Sequence, residues 1–151
     1  MASNWMHQEM AIVGTIDPTA ITTAATHWFD AVDMDVFEKV AFIVQTNTVA
    51  ANTTMVLTAY GDAASATGGM SVAVATSTTL SGTAHSDSQI WIEVDTEDMN
   101  PDGRDRYCRA KVVVGGTAGT ATFSGLALAG HCRYQPASAN DLTTVVEIAN
   151  S

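Results

Sequence analysis

The chain of 151 residues is 46% apolar and only 15% charged, with a net charge of −10. One domain with its own core fits that length, and the composition excludes a wholly disordered chain. The acid excess argues against direct nucleic-acid binding, which needs clustered Lys and Arg against phosphates.

Along the chain, short segments that alternate apolar and polar residues recur between turn signals, which is the pattern of β-strands. The opening "MASNWMHQEM" has neither the basic start nor the apolar run of a secretory signal, and there are two cysteines, so folding inside a cell is expected. "DPTAITTAATHWF" (17–29) begins with Asp17-Pro18, a pair suited to a helix start. Its threonines weaken a helix, and "THWFDAVDM" reads at least as well as a strand. "DVFEKV" (35–40) suggests one helical turn before "KVAFIVQTNT" (39–48), the strongest apolar run and a buried strand. "TTMVLTAYG" (53–61) and "GMSVAVATSTTL" (69–80) follow as strands. In "SQIWIEVDT" (88–96), Ile90, Ile92 and Val94 take one face and Trp91, Glu93 and Asp95 the other. An outward tryptophan is costly to leave wet, so Trp91 is expected either in a subunit contact or beneath the protein's own second sheet or a loop. Trp28, Phe37, Phe42 and Phe123 are expected core anchors.

"YCRAKVVV" (107–114) and "TATFSGLALA" (120–129) read as a hairpin across the turn "GGTAG". Pairing Val112 with Phe123 turns Cys108, Ala110, Val112, Val114, Ala121 and Phe123 inward, and Arg109 and Lys111 outward. In that register Cys108 faces Ala127 and Cys132 lies further along, about 16 Å away at roughly 3.3 Å per residue. That exceeds the roughly 7 Å between disulfide Cα atoms, so two reduced thiols are expected, with Cys108 in the core.

The sequence offers little chemistry. His131 and Cys132 are adjacent and would face opposite ways in a strand, which does not match zinc-ligand spacing. His7-Gln8-Glu9 has the H-x-E form of nucleotide deaminases without the P-C-x-x-C partner. There is no G-x-S-x-G elbow, "GGTAG" lacks phosphate-loop spacing, and Ser124 reads as a small outward side chain. A calcium loop started at Asp33 would put Glu38 where glycine is needed and Val44 where the closing glutamate belongs. "DTEDMNPDGRD" (95–105) is acidic enough for a surface calcium site, but its Asn100-Pro101-Asp102-Gly103 marks a solvated hairpin loop. No catalytic residue, cofactor or metal is expected, and no run of about eighteen apolar residues predicts a membrane span.

The fold expected is therefore all-β, an antiparallel β-sandwich or jelly-roll-like barrel with little helix. One domain is expected over 1–136, with 137–151 a final strand or an arm that contacts a neighbour. Charge is uneven: residues 1–103 hold one base against thirteen acids, and residues 104–151 five bases against three acids. One end of the fold is thus suited to an acidic neighbour, including a second copy.

The order "FEKVAFIVQT", an Ala/Thr-rich middle, "DSQIWIEVDTEDM" and then "RYCRAKVVVGGTAGTATFSGLALAGHCRYQPA" resembles small β-rich virion proteins of tailed bacteriophages. The resemblance rests on an aromatic-x-R-x-K-V-V-V strand, a glycine turn, an apolar strand and a G-x-x-R-Y-x-P segment at Gly130, Arg133, Tyr134 and Pro136. It covers about two thirds of the chain and contains no catalytic fingerprint. It implies a non-enzymatic capsid decoration, or cement, protein, assembled in the host cytoplasm and seated on the virion exterior. Such proteins are commonly trimers that bind the major capsid protein and bridge capsomers. Arg104, Arg106, Arg109 and Arg133 are then the expected contact residues, with Trp91 and Tyr134 beside them. A head-to-tail or tail structural protein is the alternative within that class, and a carbohydrate- or cell-surface-binding sandwich module the alternative outside it.

Overall fold

The computed structural model describes residues 9–63, 72–99, 105–117 and 119–132. The expected arm at 137–151 lies outside the described residues, as does the end of the expected domain. The strands are β1 (Met10–Ile21), β2 (Ala25–Trp28), β3 (Val32–Asp33), β4 (Phe37–Val49), β5 (Thr53–Asp62), β6 (Val72–Thr76), β7 (Leu80–Ser81), β8 (Gln89–Asp95), β9 (Tyr107–Gly116) and β10 (Ala121–Cys132). Among the described residues the helical content of the elements is one 3₁₀ turn, Thr83–His85.

Two antiparallel sheets face each other: sheet A in the order β1-β10-β4-β8, and sheet B in the order β2-β9-β5-β6, with β3 on β9 and β7 on β5. The pairing is nested. The first strand pairs with the last, β2 and β3 with β9, β4 with β8, and β5 with β6 and β7. Taking β2/β3 and β6/β7 as two interrupted strands leaves eight strands in a jelly-roll arrangement, which resolves the expected sandwich or barrel.

The core lies between the sheets and follows the period-two pattern. Phe37, Val40, Phe42 and Val44 of β4 and Ile90, Ile92 and Val94 of β8 face Met55 and Leu57 of β5 and Cys108, Ala110, Val112 and Val114 of β9. Phe29, just past β2, is fully buried; its ring tilts against Phe42 at 5.3 Å between centroids and rests on Gly125. Both cysteines are free, Cys108 buried and Cys132 half-buried.

Five expectations need correction. The hairpin of 107–114 with 120–129 does not form: Val112 pairs with Leu57 and His27, while Phe123 pairs with Thr46 and Thr19 in the other sheet. The intervening loop crosses the sandwich instead, using the positive φ of Gly116 (91°) and Gly119 (56°). A β-carbon on Gly116 would overlap the Asn52 carbonyl, and one on Gly119 would lie 2.7 Å from the Ala24 amide, so the crossing loop is clamped against two others. The inward and outward assignment of β9 and β10 holds even so, because both strands present their alternating faces to the same core.

Asp17-Pro18 opens no helix; it sits in an irregularity of β1 between Ile16 and Thr19. β1 is the edge of sheet A, where a missing N–H is tolerated. Nor does 35–40 make a helical turn. A tight turn closed by the Val36 amide on the Asp33 carbonyl leads directly into β4 at Phe37. The strand expected over 69–80 is broken between β6 and β7, and its first three residues lie outside the described ones. Trp28 is not a core anchor. His27 points inward, edge-on to Phe123 at 5.5 Å, so its neighbour Trp28 faces out and Phe29 fills the core.

Candidate interaction surfaces

The outward side of sheet A is unusually apolar. Register places Ile12, Leu128, Ala41 and Glu93 in one row across the four strands, and Thr15, Leu126, Ile43 and Trp91 in the next. A buried face needs such rows, but this one looks away from sheet B, and Trp91 is 55% exposed. Its indole N–H donates to Glu93 Oε1 at 3.1 Å, which fixes the ring along the strand. Next to it is an open depression of about 870 Å³, floored by Met10, Ala41, Leu128 and Trp91.

Acids crowd the rim of that depression, including Glu38, Glu93, Asp95, Glu97 and Asp98. Lys39 is tied to Asp95 at 2.8 Å; the contact raises the Lys39 pKa and lowers that of Asp95. Asp95 also accepts from the Glu97 amide and Thr96 hydroxyl, and Asp98 accepts from the Asp95 amide, so the carboxylates satisfy their own turn. Among the described residues no group of three or more His, Cys, Asp or Glu side chains is placed to hold a metal ion.

The outward side of sheet B carries two cations, Arg109 and Lys111, with Asp62 beyond them in the row of Tyr107. Rows across β2, β9 and β5 bring together Thr26, Val113 and Val56, then Trp28, Lys111 and Thr58, then Arg109 and Tyr60. Lys111 Nζ lies 4.6 Å from the Tyr60 ring centroid and 5.2 Å from that of Trp28, and the Arg109 guanidinium lies 5.1 Å from Trp28. Trp28 and Tyr60 are themselves 5.8 Å apart. The cations thus rest on aromatic faces. Arg109 Nε also donates to the Phe29 carbonyl; partial burial lowers its pKa, and Asp30 offsets part of that shift. At the end of the face Arg106 grips Asp33 through Nε and Nη2. That contact raises the Arg106 pKa and holds Asp33 below the usual carboxylate range.

Of the six residues expected at an interface, Arg109 stands on the outward side of sheet B, Arg106 lies just before β9 with its guanidinium on Asp33, and Trp91 is on the outward side of sheet A. Arg104, Arg133 and Tyr134 lie outside the described residues. Trp91 is covered by neither sheet B nor a described loop. Lys111 reads as outward from the alternation Tyr107, Arg109, Lys111, Val113 but is not among the expected interface residues; Trp28 reads as core and Tyr60 is not singled out, since nothing local to residues 28 or 60 shows that they share a face.

No family model matches this chain, and no curated protein is matched by its sequence. Among solved structures, a chain in the structure of infectious bursal disease virus Gx strain superposes with a TM-score of 0.50 at 13% identity, over 85% of this chain and 33% of that one. A chain of the infectious bursal disease virus VP2 subviral particle gives 0.48 at 13% identity, over 90% and 36%. A chain of Bacillus endospore appendages, a family of disulfide-linked pili, gives 0.39 at 17% identity, over 85% and 94%. This chain therefore spans about a third of the viral chains it matches. With the Gx-strain chain it shares the fold: two facing antiparallel sheets around one core.

Proposed function

We propose that this protein is a non-enzymatic structural component of a virion, and within that class a capsid decoration protein that binds the outer shell and bridges capsomers. The observation that carries the reading is a jelly-roll arrangement, a fold shared with the Gx-strain viral chain, whose two sheets both present built outward faces. A clamp needs a stiff body and adhesive surfaces, and here the apolar rows of sheet A and the cation–aromatic rows of sheet B supply them. The partners are the major capsid protein and further copies of this chain, with trimers the favoured assembly, and the place is the capsid exterior.

Light scattering of the purified protein, alone and with expanded empty capsids, tests this. Co-elution with capsids is expected. A protein that ignores capsids would move the assignment to a head-to-tail or tail component. A glycan-binding module has one observation in its favour, the exposed Trp91 ring beside a depression, and binding on a glycan array without capsid binding would replace the proposal with it.

A further inference from the structure

The two outward faces are complementary to each other. Sheet A offers apolar rows with Trp91 at their end and a rim of carboxylates, whose neighbouring cation, Lys39, is already paired with Asp95. Sheet B offers Val113, 36% exposed, beside Val56, Trp28 and Tyr60, with Lys111 and Arg109 standing over the rings. Neither Lys111 nor Arg109 has an ion-pair partner within the described residues. Two of the four described cations, Arg109 and Lys111, thus stand on the outward side of sheet B in an otherwise acidic chain.

We propose that copies of this chain stack face to face in one direction, the outward side of sheet A of one copy seated on the outward side of sheet B of the next. A two-fold pairing would set like against like. Sheet A on sheet A brings Glu93 and Asp95 toward their own equivalents, and sheet B on sheet B does the same with Arg109 and Lys111. The A-on-B contact brings carboxylates to cations and apolar rows to apolar rows. Because the faces lie on opposite sides of the sandwich, each copy uses both, which makes the contact heterologous and builds a ring or a filament. Four strands at about 4.8 Å and six residues at about 3.4 Å make a face of roughly 19 by 20 Å. That is small beside the roughly 800 Å² per partner of a standard interface, so single contacts are weak and the association grows with concentration. This proposal stands on the two faces alone and does not depend on the capsid reading, because its test contains no shell.

The test uses the full-length protein and two variants, one per face. Trp91→Lys puts a cation where the partner brings cations, and Lys111→Glu puts an acid where the partner brings acids. Sedimentation velocity across a concentration series should show mass above the 15.8 kDa monomer for the parent chain and monomer for each variant. An equimolar mixture of the variants should at least double the mass, since each still carries the one sound face the other needs. Recovery in the mixture also shows that both variants are folded. Should Lys111→Glu fail to fold, Val113→Glu interrupts the same face. Three results would overturn the proposal: a parent chain that stays monomeric up to millimolar concentration, a Lys111→Glu chain that associates as the parent does, or a mixture of folded variants that stays monomeric. Loss of association in Trp91→Lys alone would mean that sheet A meets a second sheet A.

Discussion

Phe29 lies on Gly125 so closely that a β-carbon at position 125 would sit 2.5 Å from Phe29 Cζ and 2.8 Å from Cε1. The ring has nowhere to go, being fully buried between that strand and Phe42. Gly125→Ala should therefore destabilise the protein, by about 1–3 kcal/mol for overpacking less a gain of roughly 0.5–1 kcal/mol from the stiffer unfolded chain. Urea denaturation of Gly125→Ala, Phe29→Leu and the double variant measures it. Phe29→Leu should cost less when combined with Gly125→Ala than in the parent, and strictly additive losses would contradict the contact.

Burial pushes the Cys108 thiol up to about 12 from an ordinary value of 9.0. The folded state thus holds this proton when the unfolded chain has lost it. Stability tied to Cys108 is complete below about pH 9 and falls progressively as pH rises from there toward 12. The stability of the parent relative to Cys108→Ala should consequently decline across that range. At pH 8 a thiol reagent should modify Cys132, half-buried with its thiol against the Glu9 carbonyl, well before Cys108, which should react only at the rate of unfolding. Equal rates would place Cys108 outside the core.

Thr46, 1% exposed, joins β4 to the chain before β8: its hydroxyl lies 2.8 Å from the His85 carbonyl and 3.0 Å from that of Ser88, and it accepts from the Ser88 amide at 3.0 Å. Thr46→Val keeps the shape and removes those bonds, leaving the part-buried Ser88 amide and His85 carbonyl without this partner, at about 1–3 kcal/mol. A fall in Tm of several degrees is expected, and an unchanged Tm would show that water replaces the hydroxyl.

Arg106 and Asp33 should matter less than their geometry suggests. The pair joins residues distant in sequence, but the side chains are 48% and 25% exposed, which puts its worth at about 1 kcal/mol or less. Asp33 has a lowered pKa, so its contribution is present above the unfolded value of 3.8 and disappears as pH falls through the lower folded value. Parent and Asp33→Asn should accordingly differ slightly in Tm at pH 7, less in high salt, and not at all in strong acid. A loss above about 2 kcal/mol would mean that the pair is shielded from water.

What the chain's order of residues determined by itself is which way each strand's side chains turn. Ile90, Ile92 and Val94 against Trp91, Glu93 and Asp95, and the inward Cys108, Ala110, Val112 and Val114, follow from a period of two that is written locally. Tertiary structure decided which sheet each strand joins. A strand that folds back beside its predecessor and one that crosses to the opposite sheet carry the same alternation, since both keep their apolar side toward one core. For this reason 107–114 and 120–129 read as a hairpin although β9 and β10 lie on opposite sides of the sandwich. The same ambiguity hid the surfaces. Trp28, Tyr60 and Lys111 are far apart in sequence and meet only because nested pairing sets β2, β9 and β5 side by side, and Trp91 is separated from the arginines because β8 closes the other sheet. Pairing partners are chosen by loop reach and the shared burial of two faces, and neither is a property of any short stretch of sequence.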